Sequence, residues 1–288
     1  MRDRSRETRS KFIFSDLPFY RRCQIFSCPK GTFQYEIPMS FRLLEPDKGI
    51  LLSEAISTNT ILKGKEFPPG TWIQADFQSQ GRGRKNRTWA ILGDEPFIFS
   101  GKFRSTGELP SPNLFSLFIG VSVAKALLST YPSLHESGDL KIKWPNDIFV
   151  NGKKVCGILI ETEKEGEDWD WIVGIGINLF GKSLSEELPE AGFVTSLTTE
   201  AGRKNRFLET LLPLLNDAAL SLADGKTYLS FINERLLWKG NAISYTENGV
   251  PQTAILLEVD DSGRLLVRSP SGEITEFIDS PEDFRSLG

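Results

Sequence analysis

The amino-acid sequence predicts an α/β (α+β) domain followed by a small all-β domain. From about residue 48, strand-like apolar runs alternate with segments of helical periodicity. Beyond Lys239-Gly240 the pattern changes to short strands. Asn-Gly, Asp-Ser-Gly and Ser-Gly turns separate these strands, which is typical of a β-meander or an SH3-like barrel of about fifty residues. A change of fold is therefore predicted near residue 239.

The individual elements follow from the same patterns. In the first domain we expect strands at 50–54, 71–77, 97–103 and 171–179. We expect helices at 112–130, 203–223 and 226–237, with Pro213 as a kink or break in the second of these. In the second domain we expect strands at 242–246, 253–259, 264–268 and 274–277.

The composition excludes several classes of function. A net charge of -4 and a pI near 5.4 argue against nucleic acid as a partner. No run of 18 apolar residues is present, so we expect no membrane span. Three cysteines form no disulfide framework, which indicates a cytoplasmic protein. Because His135 is the only histidine, Ser-His or Cys-His catalysis is not expected.

Residues 1–38 differ from the rest of the chain. They contain scattered arginines and aromatics and show no useful periodicity. We interpret them as an extension of doubtful order, and translation starting at Met39 would remove them. The alternative is a basic arm that folds on a partner. Free thiols are the better interpretation of Cys23 and Cys28, because further metal ligands are missing. The predicted domains are 1–48, 49–238 and 239–288.

The central stretch 143–161 predicts a β-hairpin. Asn151-Gly152 separates two apolar runs and is typical of a type I′ turn. With that turn as the loop, Phe149 faces Lys154 and Asp147 faces Cys156. Asp147 and Lys154 then lie diagonally on one face of the sheet. The alternative is an ordinary edge hairpin with a solvated Lys and Asp.

A second stretch, 78–89, contains Gly-Arg-Gly-Arg at 81–84. Glycines between arginines leave backbone amides and guanidinium groups exposed to an anion. The loop is not a Walker A motif, because it lacks the Gly-Lys-Ser/Thr ending. A solvated, flexible connection is the alternative interpretation.

Two further patterns suggest a small-molecule site. In the strand at 171–179, Gly174 and Gly176 lie on the face opposite to the apolar residues. A planar ligand could lie on this bare face, and close helix packing is the alternative. Ser57-Thr58-Asn59 is predicted to begin a helix, with its hydroxyls either capping backbone amides or binding a small ligand.

Five motifs in this order resemble those of biotin protein ligases: Ser-Thr-Asn at 57–59, Gln-x-x-Gly-Arg-Gly-Arg at 78–84, Lys-Trp-Pro-Asn-Asp at 143–147, Gly-Ile-Leu-Ile-Glu at 157–161 and Gly-Ile-Gly-Ile-Asn at 174–178. The resemblance implies a mixed-sheet catalytic domain similar to class II aminoacyl-tRNA synthetases, and an SH3-like domain. It also implies activation of biotin with ATP and Mg²⁺ to biotinyl-5′-adenylate, and transfer to a lysine of a biotin carboxyl carrier domain.

The resemblance assigns roles to residues by their motif positions. The catalytic residues would be Lys154, Arg82, Arg84 and Asp147, with Asp147 also a tentative Mg²⁺ ligand. The biotin-binding residues would be Ser57, Thr58, Asn59, Gln78, Gly81, Arg82, Arg84, Lys154, Gly157, Gly174 and Gly176. The ATP-binding residues would be Arg84, Trp89, Lys143, Asn146 and Asn178.

The sequence departs from the family pattern after Trp89. The segment 90–97 lacks the usual Ser-Pro-x-Gly-x-Asn-Leu, and Ala90 replaces a frequent aromatic residue. A non-catalytic biotin or biotinyl-adenylate binder is therefore the second hypothesis, and a lipoate ligase is the third. Residues 1–48 are too short for the DNA-binding winged helix of larger members, so transcriptional repression is not expected. A monomer or weak homodimer is expected.

Overall fold

The protein is described by a computed structural model that covers residues 40–93, 95–107, 111–137, 139–181, 188–195 and 202–288, with only the backbone described at 136 and 137. The predictions for the N-terminal extension, for a start at Met39 and for the Cys23 and Cys28 thiols lie outside these residues.

An eight-stranded sheet forms the centre of the fold. Its strands are β1 (Phe41–Arg42), β2 (Gly49–Ala55), β3 (Trp72–Gln78), β4 (Glu95–Thr106), β5 (Leu140–Lys143), β6 (Asp147–Val150), β7 (Lys153–Glu165) and β8 (Asp168–Phe180). The order is β2-β3-β4-β8-β7-β6-β5, with β1 paired to β4. Strands β2 and β3 are parallel and the other pairs are antiparallel. The expected mixed sheet is thus confirmed.

Five α-helices are present in the described residues: α1 (Thr58–Leu62), α2 (Pro112–Thr130), α3 (Ser133–Ser137), α4 (Arg203–Leu220) and α5 (Lys226–Arg235). Helix α2 has the predicted bounds, and the Ser111 hydroxyl caps it by accepting from Leu114 N at 3.3 Å. It is long and apolar enough to cross a membrane, but 67% of that apolar window is buried inside the protein, as in a core helix. Helix α4 continues through Pro213, so the predicted break is wrong.

The two faces of the sheet differ in what covers them. Apolar residues of β4, β7 and β8 pack on one face against α2 and α4 in the main core. On the opposite face, α1 covers only the part above β3, β4 and β8, with Leu62 packed near Ile73 and Ile172. Elsewhere on this second face, called the open face below, Gly157, Gly174 and Gly176 supply no side chains of their own.

The C-terminal part forms a separate antiparallel sheet. Its strands are β9 (Ala242–Glu247), β10 (Val250–Val259), β11 (Leu265–Arg268), β12 (Ile274–Phe277) and β13 (Glu282–Ser286), in the order β12-β11-β10-β9-β13. Its apolar residues Ile243, Leu256 and Val267 belong to the same core cluster as α2. Trp144 Nε1 donates to Gly263 O at 2.9 Å. This sheet therefore packs directly against the first domain.

Sequence patterns missed three short strands. β1, β5 and β13 have few residues each and depend on a neighbouring strand for their backbone hydrogen bonds. Such segments carry little periodicity. The predicted strand at 97–103 is the centre of the longer β4.

Phe115 on α2 tests the main core. Its ring lies edge-on to Trp171 at 5.3 Å and to Phe103 at 5.7 Å between centroids, and it is fully buried. Phe115→Ala should lower the free energy of unfolding by about 3–5 kcal/mol, because it removes apolar contacts and leaves a cavity. Urea denaturation measures this change.

Leu51→Ala is the matched control, since Leu51 is 65% exposed. It should change the free energy of unfolding by less than about 0.5 kcal/mol. Equal losses of unfolding free energy in the two variants would contradict the assignment of the α2-covered face of the sheet as the main core.

Candidate functional site

A cavity of about 760 Å³ lies on the open face of the sheet. This volume suits a ligand of cofactor size. β7 and β8 form its floor, and the start of α1, the loop 82–89, the start of β6 and the C-terminal segment 280–285 form its walls. Most of the predicted site residues line it: Ser57, Thr58, Asn59, Gln78, Arg82, Arg84, Trp89, Lys143, Asn146, Asp147, Lys154, Gly157, Gly174 and Gly176.

Two predicted residues lie elsewhere. Gly81 lines a smaller concavity formed by its own loop. Asn178 is buried outside the cavity lining, where its Nδ2 donates to Gly192 O at 3.2 Å. The chain around residue 192 covers this end of β8, so Asn178, predicted to bind ATP, lies outside the cavity lining. Sequence alternation predicted only the face on which Asn178 lies.

The central hairpin differs from its predicted register by one residue. Asn151 and Gly152 have φ values of 51° and 69°, as the type I′ turn requires. Phe149 pairs with Lys154 as predicted. A β-bulge follows, so Asp147 pairs with Gly157, and its predicted pairing with Cys156 is wrong.

Asp147 and Lys154 nevertheless meet at the cavity, as the hairpin predicted. Lys154 Nζ lies 2.7 Å from Asp147 Oδ1. Asp147 Oδ1 is buried and makes no well-directed hydrogen bond, so the contact is electrostatic. Lys154 Nζ also lies 5.6 Å from the centre of the Trp89 ring. The ammonium group is therefore held between a carboxylate and an indole.

The glycine floor is occupied by the chain's own side chains. Gly157 and Gly176 lie directly opposite each other in β7 and β8, and the Trp89 indole lies on both. A Cβ at Gly176 would stand 2.6 Å from Trp89 Cε2, and one at Gly157 would stand 2.7 Å from Cζ3. Asn59 lies on Gly174 in the same way. The bare face thus first accommodates Trp89 and Asn59, which corrects the expectation of a ligand lying directly on it.

The Ser57-Thr58-Asn59 segment does not act as a helix cap. Ser57 occupies the N-cap position of α1, but its hydroxyl makes no capping hydrogen bond. Thr58 N donates instead to Gln78 Oε1 at 3.1 Å. The Thr58 and Ser100 hydroxyl oxygens are 2.7 Å apart, and Ser100 Oγ donates to Asn59 Oδ1 at 2.6 Å. A buried polar network therefore joins the cavity wall to the sheet.

The Gly-Arg loop is held by backbone hydrogen bonds of its own. Trp89 N donates to Gly81 O at 2.9 Å, and Arg82 and Thr88 form a β-bridge. Lys85 and Asn86 turn the chain with φ values of 53° and 58°. These contacts place both arginines of the motif at the cavity.

Both arginines contact carboxylates. Arg82 Nη2 donates to Glu161 Oε1 at 3.0 Å. Arg84 forms an ion pair with Asp279, and its Nη1 lies 3.4 Å from Asn146 Oδ1. Lys85 Nζ donates to Ser280 O at 2.7 Å, which fastens the loop to the C-terminal sheet.

Sequence patterns missed several of these groups. Glu161 ends the Gly-Ile-Leu-Ile-Glu motif but was assigned no role, although it lies four residues after Gly157 on the same face of β7. Asp279 and Ser280 are almost 200 residues from the loop that they contact and carry no local signal. Ser100 lies in β4, paired with Gly174.

Local charges and burial shift two pKa values near the cavity. Burial lowers the pKa of Lys143, although Asp147 and Glu190 oppose that shift. Burial alone would raise the pKa of Glu161, but hydrogen bonds from Lys63 and Asn59 outweigh it, so its pKa is lowered. The described residues contain no group of three or more His, Cys, Asp or Glu that could hold a metal ion.

Comparisons with known proteins agree with these motifs. Residues 53–178 match the Biotin/lipoate A/B protein ligase family. The chain is 32% identical to a biotin–[acetyl-CoA-carboxylase] ligase of Paracoccus denitrificans over 77% of this chain and 95% of that protein. It is 30% identical to the bifunctional ligase/repressor BirA of Bacillus subtilis over 77% of this chain and 69% of that protein.

A solved structure shows the same fold. The biotin protein ligase from Aquifex aeolicus in complex with biotin and ATP superposes with a TM-score of 0.67 and 26% identity. That match covers 83% of this chain and 99% of the Aquifex chain. On the ordered motifs, the shared fold and these identities, the chain belongs to the biotin protein ligase family.

Proposed function

We propose that this protein activates biotin with ATP to biotinyl-5′-adenylate and transfers the biotin to a lysine of a biotin carboxyl carrier domain. The observation that carries the proposal is the cavity itself. One wall presents the neutral polar groups of Ser57, Thr58 and Gln78, and the other presents cations that include Lys143 and Lys154. The relatives from Paracoccus denitrificans and Mycobacterium tuberculosis are biotin–[acetyl-CoA-carboxylase] ligases.

The cations answer the main difficulty of the first step. A carboxylate oxygen of biotin attacks the α-phosphorus of ATP, and the bond to the β-phosphate oxygen breaks to release pyrophosphate. Both reactants are negative, so fixed positive charge lowers the barrier. Lys154 Nζ, which contacts Asp147 Oδ1, exchanges that partner for the biotin carboxylate. Arg84, which is paired with Asp279, exchanges that partner for a phosphate.

The second step uses the same groups. The amine of the acceptor lysine attacks the carbonyl carbon of the adenylate, and AMP leaves with the electrons of the C–O bond. Asp147 lies at the cavity and can accept a hydrogen bond from the incoming amine. Lys154 can then bind the carbonyl oxygen as it gains negative charge. The loop 82–89 shields the reactive anhydride from water.

Magnesium fits this cavity as part of the nucleotide. Asp147 supplies one carboxylate, and its Oδ1 lacks a well-directed hydrogen bond. Mg²⁺ commonly binds through one or two carboxylates together with substrate phosphates and waters. When bound there, the ion would neutralise charge on the departing pyrophosphate.

The remaining assignments belong to the same proposal. Residues 49–238 are the catalytic domain and 239–288 the SH3-like domain. The predicted boundary at 48 lies too late in the chain, because β1 pairs with β4 and Leu44 is buried in the main core, so the residues described from 40 onward belong to the catalytic domain. The protein acts in the cytoplasm as a monomer or weak homodimer. It does not bind nucleic acid, which is consistent with its net charge of -4.

Biotin-dependent exchange of labelled pyrophosphate into ATP tests the proposal, because it isolates adenylate formation from transfer. We expect exchange with biotin and Mg²⁺, and none with lipoate. Biotin binding without exchange would favour the non-catalytic binder, for which the altered segment 90–97 is the candidate cause. Exchange supported by lipoate instead of biotin would favour a lipoate ligase.

Substitution of Lys154 tests its assigned role. Lys154→Ala should reduce the exchange rate by about 100-fold or more, since it removes a charge that stabilises the transition state. The thermal unfolding midpoint should stay close to that of the unaltered protein. Lys164→Ala, on the same strand but outside the cavity, is the control and should retain activity. An unchanged rate in Lys154→Ala would refute the role.

The burial of Lys143 predicts that ATP binding depends on pH. Burial lowers its pKa, so its positive charge is lost at a lower pH than that of an ordinary lysine. The KM for ATP should therefore rise with pH in the unaltered protein, and the rise should begin below the pH at which an ordinary lysine, with a pKa of about 10.4, loses its charge. Lys143→Arg keeps its charge and should show a flatter profile. Superimposable profiles of the two proteins would exclude Lys143 as the titrating group.

A further inference from the structure

Glu161 has a position that the mechanism above does not explain. It lies on β7 next to the cavity but does not line it. Its carboxylate receives Lys63 Nζ at 2.7 Å, Arg82 Nη2 at 3.0 Å and Asn59 Nδ2 at 3.0 Å. One side chain thus joins α1, the Gly-Arg loop and the sheet floor.

We propose that Glu161 is a positioning residue which, through Asn59, Ser100 and Thr58, orients the polar groups that receive biotin. The inference rests on the proposed function. It concerns a residue that touches neither biotin nor ATP in the assigned roles. Its contact with Asn59 sets the direction of the hydrogen bonds from Asn59 through Ser100 to Thr58.

The donor-to-acceptor direction of these hydrogen bonds is set first at the Glu161 carboxylate. An ionised carboxylate only accepts hydrogen bonds, so the Asn59 group facing it must be Nδ2. The amide oxygen of Asn59 then faces Ser100, whose hydroxyl donates to it at 2.6 Å. Because that proton is committed, the Ser100 oxygen is left to accept from Thr58 at 2.7 Å.

The end of the network faces the cavity. Thr58 donates to Ser100, since this contact is shorter than the 3.4 Å to Gln78 Oε1. The lone pairs of Thr58 Oγ1 therefore remain available as an acceptor, and Thr58 lines the cavity. The ureido ring of biotin carries two N–H donors, which need such an acceptor. Reversal of the Asn59 amide would reverse this pattern.

Two features keep Asn59 in this orientation. The low pKa of Glu161 keeps the carboxylate ionised, and the nearby Lys63 and Arg82 account for that together with Asn59 itself. The Asn59 side chain also fits closely against Gly174, where a Cβ would overlap its Oδ1. Asn59 is 4% exposed and has little space for another position.

Binding of biotin in the absence of ATP, measured by calorimetry, tests the inference. Glu161→Ala and Asn59→Ala should each weaken biotin binding by about tenfold, as expected when a buried polar group loses its partner. The double variant should bind biotin about as weakly as either single variant, because both substitutions break the same network. Glu163→Ala, on the same face of β7, is the matched control and should bind like the unaltered protein.

Glu161→Gln keeps the side-chain shape and controls for misfolding. Its amide can donate as well as accept, so the Asn59 orientation is no longer enforced and binding should still weaken. Independent, multiplicative effects of Glu161→Ala and Asn59→Ala would overturn the inference. Unchanged biotin affinity in Glu161→Gln would also overturn it. A third contrary result would be that the effects of Glu161→Ala and Arg82→Ala on biotin affinity are non-additive while those of Glu161→Ala and Asn59→Ala are additive.

The outcome is distinguishable from failure of the proposed function. The unaltered protein is measured first, for biotin binding and for biotin-dependent pyrophosphate exchange. If the unaltered protein shows neither biotin binding nor biotin-dependent exchange, the proposed function and the inference are both rejected. If the unaltered protein supports exchange but the effects of Glu161→Ala and Asn59→Ala on biotin affinity are additive, only the role of Glu161 is rejected.

Discussion

The site depends on the absence of side chains at three positions of two adjacent strands. Gly157 and Gly176 face each other across β7 and β8, and Gly174 lies two residues away on the same face. Their bare backbone lets the Trp89 indole and the Asn59 amide lie against the sheet. Any larger residue would push these groups into the cavity. The floor therefore positions both the closing loop, through Trp89, and the polar network, through Asn59.

Three cations that line the cavity are paired with carboxylates before any substrate arrives. Lys154 pairs with Asp147, Arg82 with Glu161 and Arg84 with Asp279. Such pairs hold long cationic side chains in defined positions without leaving buried charge unpaired. Anionic substrates can then replace a carboxylate partner by exchange. Each cation contributes to binding only the difference between its interaction free energy with the substrate and that with its carboxylate. This difference is smaller than the free energy of either contact alone.

Local patterns predicted the parts of this arrangement that depend on local physics. The helix at 112–130, the Asn151-Gly152 turn and the glycine face all follow from short-range preferences, and the structure contains them. The bulge between Ile148 and Phe149 was missed, because a one-residue register change leaves apolar alternation almost intact. The burial of Asn178 was missed because it depends on a distant segment near Gly192.

The C-terminal sheet shows why a change of sequence pattern does not mark a boundary of function. Strand periodicity changes near residue 239, yet residues 280–285 line the cavity. Asp279 and Ser280 hold Arg84 and the neighbouring Lys85. The position of the Gly-Arg loop thus depends on contacts with the second sheet. Because Trp144 and Gly263 also join the two parts near β6, movement of that sheet would be transmitted to both sides of the cavity.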